Sequence, residues 1–477
     1  VLTIGLIIVG LLYGVSLACV PHLLLLNKRP TATLAWLWAL FLFPGVGALF
    51  YLAVGTERVR RRRRRRQRSF RRARGLAGRT RRFQDDPVAD MPADKNVPPL
   101  LATASRIVGL PTDSVGEMRL LRNGQAYYDA LRERIAAAKM SIHVESFIWR
   151  KDEVGAEFLD LLVAAARRGV RVRVLLDELG CLGLTQRYFR RLVQAGGEFS
   201  WCHTFYPRHN RYFFNLRNHR KLQVIDGSVA FVGGMNFGRE YLGLDRTLGA
   251  WNDLQVEVRG PVVKRLQQVF AEDWFFATGR EEPLEEVKDV ASTHELAPMQ
   301  VLRTGPDEDD QPMLRVNLAL IEAAQKRLWI SAGYFVPGTT MESALQVAQA
   351  RGVDVRLLVS EKSQHRLLVK AGRSCYEALL RQGVRIFEYR KGIEHSKYTV
   401  VDDEFAVVGS SNFDDRSMRL NFELSLLVRR PATNHALARL FQEMSGDAHE
   451  VRRASFARRP WSDKLVESAL RLASPLL

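Results

Sequence analysis

The most constraining feature of this 477-residue sequence is a ten-residue segment that occurs twice. "NHRKLQVIDG" at 218–227 and "EHSKYTVVDD" at 394–403 share a His-x-Lys-x4-Asp spacing and lie 176 residues apart. Both continue alike, "IDGSVAFVGGMNFGRE" against "VDDEFAVVGSSNFDDRS". Gly233 and Gly409 each follow their Asp by seven residues, and Asn236 and Asn412 come three later. One such motif is weak. Two in register require that their surroundings repeat as well.

The surroundings do repeat. "RRGVRVRVLLDE" at 167–178 aligns with "ARGVDVRLLVSE" at 350–361. A helix-like "AYYDALRERIAAAKM" (126–140) runs into the apolar "SIHVESFIW" (141–149), and "NLALIEAAQKR" (317–327) runs into "LWISAGYFVP" (328–337). Strands alternating with helices indicate an α/β sandwich. Repetition of the whole order indicates a duplicated domain rather than a solenoid. The length accommodates two such cores. Expected boundaries are 101–295 for the first domain and 296–477 for the second.

In an extended chain residues i and i+2 point the same way, so His219 shares a face with Lys221, and His395 with Lys397. Asp226 and Asp402 follow the apolar strand, where they pair with a base or cap a turn, and a structural role suits them best. The candidate catalytic set is therefore His219, Lys221, Asp226, His395, Lys397 and Asp402. Juxtaposed halves would pool two His, two Lys and two Asn, a metal-free site for a phosphate whose charge is redistributing. One neutral imidazole attacks phosphorus while the other supplies a proton to the departing alkoxide. Like charges favour unlike protonation of the two rings. Asp253 in "WND" and Glu423 in "NFE" are candidates to orient the imidazoles. They join Asn236, Asn412 and Ser410 as the candidate substrate-binding residues. Glu145 and Tyr334, from equivalent strands, either line the pocket or pack in the core. No Cys/His/acid cluster has zinc-ligand spacing, so neither metal nor cofactor is expected. Cys19, Cys181, Cys202 and Cys375 read as free thiols of a reducing compartment.

Ahead of the duplication the sequence changes character. Residues 1–20 carry no charge, and a second apolar run covers 34–54, each about the length that crosses a ~30 Å hydrocarbon core. The expectation is a transmembrane hairpin at 1–57, with Pro44 and Gly45 interrupting its second arm. From 58 to 82 there are 15 arginines and no acid, the main source of the +19 net charge. This polybasic segment and a Pro- and Asp-rich linker occupy 58–100. The positive-inside rule puts everything after the hairpin in the cytoplasm, with the arginines against anionic headgroups. Few aromatic residues interleave them, which argues against a nucleic-acid arm.

Together these motifs resemble the phospholipase D superfamily, and within it the bacterial cardiolipin synthases. The residues that carry the resemblance are "RPTATLAWLWALFLFPGVGALFYLAVG", "NLRNHRKLQVIDG", "YFVPG", "HSKYTVVDDEFAVVGSSNFDDRSMRLNFE" and "RLASPLL". "GGMNFGREY" departs from the Ser-bearing G-S-x-N pattern in the first half. The resemblance implies two tandem phospholipase D-like α/β/α sandwich domains with pseudo-twofold symmetry behind an N-terminal transmembrane helical hairpin. It implies transfer of a phosphatidyl group from one phosphatidylglycerol to another, giving cardiolipin and glycerol, with His219 as nucleophile and His395 as general acid/base. The implied partners are anionic phospholipids (phosphatidylglycerol, cardiolipin) and the membrane, with no nucleic acid, and a homo-oligomer is compatible with the sequence. The implied location is the bacterial cytoplasmic (inner) membrane. A membrane-bound phospholipase D or a membrane-tethered nucleic-acid phosphodiesterase would carry the same motifs, and these remain the alternatives.

Overall fold

In a computed structural model of the chain, residues 2–26, 30–52, 97–202, 216–244, 249–285, 295–306 and 311–473 are described. The arginine tract and the linker as far as residue 96 lie outside them.

The N-terminal unit consists of α1 (Leu2–Leu25), α2 (Pro30–Leu42) and α3 (Val46–Phe50). α2 ends where Pro44 lacks an amide hydrogen and Gly45 takes φ 80°, a turn that a side chain would strain. Leu23, Leu40, Ala48 and Tyr51 form a small core, and His22 Nδ1 lies 2.8 Å from Tyr51 Oη. Among the described residues no helix is long and apolar enough to cross a membrane. The expected pair of spanning helices is thus not seen. The second apolar run is split into short helices, and 13 residues of α2 extend only about 20 Å. α1 carries Pro21 within its last turns.

The second unit holds both repeats. The first repeat builds a sheet from β2 (Glu117–Arg122), β3 (Ser141–Ser146), β4 (Arg171–Leu176), β5 (Glu198–Trp201), β7 (Leu222–Ile225), β8 (Val229–Gly233) and β10 (Leu254–Arg259). Their order is β2-β10-β8-β7-β3-β4-β5. The second repeat supplies β11 (Ala297–Thr304), β12 (Arg327–Ala332), β14 (Asp354–Ser360), β15 (Arg385–Tyr389), β17 (Tyr398–Val401), β18 (Phe405–Gly409) and β20 (Asn421–Arg429). Their order, β11-β20-β18-β17-β12-β14-β15, repeats the first strand for strand, with β1 (Asp113–Val115) and β21 (Ala448–Glu450) at the edges. Both sheets are mixed. β3-β4-β5 and β12-β14-β15 are parallel and the remaining core pairings antiparallel. Helices Glu153–Arg167 and Thr339–Ala350 make the equivalent crossovers.

The halves share one core. Val224, Val232 and Val256 meet Val400, Val408 and Leu426, with Phe270 and Phe441 contributed by helices Val262–Thr278 and Pro431–Gly446. β7 and β17 are buried along their whole length, which explains why "LQVI" and "YTVV" lack simple alternation. The halves also exchange short strands. β6 (Arg217–Asn218) pairs with β20, and β9 (Ala250–Asn252) pairs with β16 (Gly392–Glu394). All four cysteines are buried and unbridged.

Asp226 and Asp402 stand at the far ends of β7 and β17 from the histidines, so as members of the candidate catalytic set they are corrected. Seven extended residues separate each from its histidine by on the order of 20 Å. Asp226 accepts the amides of Lys139, Met140 and Ser141 at 2.7–2.9 Å, and Asp402 those of Gln325, Lys326 and Arg327 at 2.7–3.1 Å. Each adopts positive φ, 50° and 48°, which Asp tolerates better than most residues. They tie the strand end to the start of β3 or β12. Asp226→Ala and Asp402→Ala should each lower folding stability by about 1–3 kcal/mol, because three amides lose their acceptor. Thermal melts of the single and double variants would check this, with near-additive losses expected across the two sheets.

Candidate active site

The H-x-K segments sit between strands rather than within them. His219 follows β6 and precedes β7, and His395 follows β16 and precedes β17. Each is therefore held on one side by its own sheet and on the other by a strand of the opposite half. His219 N donates to Phe422 O at 2.9 Å, and His395 N donates to Asn252 O at 2.7 Å.

Those partner strands deliver the carboxylates. His219 Nδ1 lies 3.0 and 3.1 Å from the Glu423 oxygens, and His395 Nδ1 lies 2.6 Å from Asp253 Oδ2. Each imidazole is thus met by an acid from the other repeat. Glu423 is fixed in turn by Ser410 Oγ at 2.6 Å and Asn421 Nδ2 at 3.3 Å, and Asp253 Oδ1 accepts from Leu254 N at 2.8 Å. With Nδ1 engaged, the Nε2 atom of each ring is left for chemistry.

The lysines turn back on their own motifs. Lys221 Nζ donates to His219 O at 2.7 Å and lies 5.3 Å from the Phe147 ring centre. Lys397 Nζ donates to His395 O, lies 2.8 Å from His395 Nδ1 and is 3.5 Å from Asp253 Oδ2. Aromatic walls enclose both rings. Phe147 meets His219 edge-on at 5.0 Å, while Trp251 and Tyr334 approach His395 at 5.1 and 5.8 Å. A Cβ on Gly333 would stand 2.8 Å from His395 Cδ2, so only glycine lets the β12–β13 connection (β13, Phe335–Val336) pass this close.

Burial dominates the electrostatics. It pulls His395 down to about 4, helped by Lys397 and opposed by Asp253. His219 is lowered by burial and by the Lys221 and Lys397 charges, against Glu423. Lys221 falls to about 7 through burial, with Lys397 adding repulsion, and Lys397 is lowered by burial as well. Burial would raise Glu423 and Asp253, but the adjacent His and Lys charges outweigh it and hold both below the usual range. Two neutral imidazoles, two ionised carboxylates and two lysines, Lys397 already 3.5 Å from Asp253, make a site suited to a phosphodiester.

The two asparagines differ. Asn236 Oδ1 accepts from Ile148 N at 3.0 Å and its Nδ2 donates to Tyr241 Oη at 2.9 Å, so its amide serves the framework rather than a ligand. Asn412 Oδ1 is buried with no partner among the described residues. Ser410 is likewise consumed, donating to Glu423 and accepting from Leu424 N at 3.0 Å. Glu145 does not line the cleft. It binds Asn218 Nδ2 at 2.5 Å in the core, where burial raises it well above the carboxylate range. Sequence reasoning missed Phe147 and Trp251, whose signal was their adjacency to Glu145 and Asp253 in "ESF" and "WND". Among the described residues no His/Cys/Asp/Glu group could hold a metal ion.

Comparison with known proteins settles the family. Residues 131–274 and 318–445 match the family described as "Cardiolipin synthase, PLD-like domain", and 14–55 match "Phospholipase D-nuclease N-terminal". The chain belongs to the cardiolipin synthase family. It is 36% identical to a cardiolipin synthase of Geobacillus sp. (strain WCH70) over 460 residues, covering 94% of this chain and 90% of that protein. Identity is also 36%, over 467 residues with the same coverages, to a cardiolipin synthase of Geobacillus kaustophilus (strain HTA426). The fold is shared with the solved structure of phosphatidylserine synthase from Haemophilus influenzae Rd KW20. That likeness has a TM-score of 0.60 at 17% identity, over 79% of this chain and all of that one. Family membership makes this chain a phosphatidyltransferase enzyme.

An arriving phosphate anion raises the pKa of any neighbouring base. With Lys221 near 7 in the free protein, binding at about pH 7.5 should draw protons in. Calorimetric titration of a dialkyl phosphate in two buffers of different ionisation enthalpy measures that uptake. Proton release would contradict the site's charge state.

Proposed function

We propose that the protein joins two phosphatidylglycerol molecules into cardiolipin and glycerol through a phosphatidyl-histidine intermediate. The observation that carries this reading is the pair of imidazoles, each held at Nδ1 by a carboxylate of the other half with Nε2 left for chemistry; the choice of His219 as nucleophile follows the resemblance. His219 Nδ1 faces a carboxylate, so it carries the proton and leaves the Nε2 lone pair free to attack phosphorus. His395 Nδ1 meets both a carboxylate and the Lys397 ammonium. Asp253 holds the Nδ1 proton of His395 as Glu423 holds that of His219, so His395 serves as the acid when a second proton on Nε2 makes it the imidazolium, the form that can give that proton away.

As His219 Nε2 bonds to phosphorus, the bond to the glycerol oxygen breaks and that oxygen takes the Nε2 proton of His395. His395 is left as the neutral ring whose Nδ1 proton faces Asp253. The positive charge developing on His219 is met by Glu423. The acceptor hydroxyl reverses each step: its oxygen attacks phosphorus, its proton goes to His395 Nε2, and the phosphorus–nitrogen bond breaks. One phosphodiester replaces another, so no nucleotide energy is required. Lys221 remains to stabilise the phosphoryl oxygens.

We also propose that the N-terminal unit is seated in the cytoplasmic membrane, with the second unit on the cytoplasmic side. Ile7, Leu11, Leu17, Trp38, Phe41, Phe43 and Leu49 are all more than half exposed, an apolar surface suited to lipid rather than water. The arginine tract is the neighbouring anchor for anionic headgroups.

Purified protein in detergent, given phosphatidylglycerol and EDTA without nucleotide, should produce cardiolipin and glycerol. Phosphatidic acid as the main product would replace this reading with a hydrolytic phospholipase D. Turnover of DNA or RNA in place of lipid would replace it with a nuclease. His219→Ala should lose activity by roughly 10³-fold or more and fail to form the labelled lipid–enzyme adduct. His395→Ala should be comparably slow in turnover yet still trap some adduct when the donor carries a good leaving group.

A further inference from the structure

The halves differ at one place where sheet register makes the comparison direct. Gln255 pairs with Gly233 in the first half, and Ser425 pairs with Gly409 in the second. Around Gln255 the first half is filled. Gln223 Oε1 accepts from Tyr127 Oη at 2.8 Å and from Gln255 Nε2 at 3.5 Å, and Gln255 Oε1 accepts from Met235 N at 3.2 Å. Phe231, fully buried on β8, adds to this filling. The same positions of the second half hold Thr399, Ser425, Ser411 and Val407, every one a smaller side chain than its twin.

The lost volume is not recovered by collapse. A cavity of about 30 Å³ remains, and its lining includes these four residues, Lys397 and Asn412 beside apolar side chains such as Met313 and Met418. That is room for two or three water-sized groups at roughly 10–15 Å³ each. Asn412 is 5% exposed and its Oδ1 has no partner among the described residues, whereas Asn236 Oδ1 is satisfied by Ile148 N. A buried amide oxygen needs a donor. A phosphodiester oxygen cannot donate, but a hydroxyl can.

We propose that this cavity is the subsite for the vicinal diol of the acceptor's glycerol headgroup, with Asn412 Oδ1 accepting from one hydroxyl. The proposal rests on the synthase reading above and adds the residues that choose glycerol over water. Two adjacent hydroxyls match the cavity's size and the Ser, Thr and Asn side chains on its wall, and the carbons that carry them match its apolar part at Met313, Ile330 and Met418. Lys397 links it to the reacting centre, since it lines the cavity and also contacts His395. The donor phosphate thus meets groups of both halves, while the acceptor is read by the second half.

The test restores the first half's residues in the full-length protein. Thr399→Gln with Ser425→Gln refills the cavity with polar atoms, and Val407→Phe fills it with an apolar ring. The reverse exchange, cardiolipin plus free glycerol giving phosphatidylglycerol, reads the subsite as a KM for glycerol. The forward reaction reads it as the ratio of cardiolipin to phosphatidic acid. Each variant should raise the glycerol KM about tenfold, more than it lowers kcat, and shift the forward ratio toward phosphatidic acid by a similar factor. A folded variant with wild-type glycerol KM and product ratio would mean that the cavity holds water only and would overturn the subsite. If the double variant does not fold, Val407→Phe decides alone. Wild-type protein that makes no cardiolipin at all would overturn the synthase reading and the subsite together, an outcome distinct from the first.

Discussion

The site depends on the crossed carboxylate–imidazole pairs, Glu423 with His219 and Asp253 with His395. Each joins a motif of one repeat to a strand of the other, and both pairs are nearly dehydrated. Neither half alone could hold its own histidine in place, because the strand that carries the orienting acid belongs to its twin. The short ladders β6–β20 and β9–β16 bring the strands together, and the shared apolar core keeps them there. Burial raises the cost of every uncompensated charge, so the pairs also make separation of the halves unfavourable. One arrangement therefore couples assembly of the fold to assembly of the chemistry.

A duplicated frame would by itself give two equivalent histidines, and the reaction needs two different ones. The structure departs from symmetry in small ways around a common backbone. Lys397 reaches His395 Nδ1, whereas Lys221 Nζ turns to the His219 carbonyl and the Phe147 face. Asp253 is one methylene shorter than Glu423. Asn236 is bound into the framework and Asn412 is not. Differences of this kind are inexpensive for the sheets, which keep their strand order and register, yet they change the surroundings of each ring.

Much of this was legible from spacing. The repeated strand–helix order, the strand "YTVV" and the pairing of His219, Lys221, His395 and Lys397 follow from periodicity and from two motifs in register. Asp226 and Asp402 share the motif but not the site, since a period-two strand carries them to its far end, where the backbone demands positive φ. The crossing of Asp253 and Glu423 was not legible, because spacing along one chain does not say which of two similar surfaces a strand will meet. Asn236 misled for a related reason. A motif fixes a residue's position, while its free hydrogen-bonding capacity depends on neighbours such as Tyr241 and Ile148 that lie outside the motif. For the N-terminal hairpin, no described helix is long and apolar enough to span, and the break at Pro44 and Gly45 that the sequence marks divides the second apolar run.

In the mechanism proposed above, transfer and hydrolysis share every step up to the covalent intermediate, so the outcome turns on which hydroxyl is present when the phosphorus–nitrogen bond breaks. The ring nitrogens, lysines and carboxylates cannot discriminate between water and an alcohol, since each sees only an O–H and a phosphoryl group. Aromatic walls at Phe147, Trp251 and Tyr334 exclude bulk water without favouring any acceptor. Discrimination must come from contacts to atoms that water lacks, namely a second hydroxyl and the carbon that carries it. The cavity of the second half, with both hydroxyl- and carbon-matching walls, is placed where such contacts are possible, and the side chains that close its counterpart in the first half indicate how little sequence change separates a reading surface from a filled core.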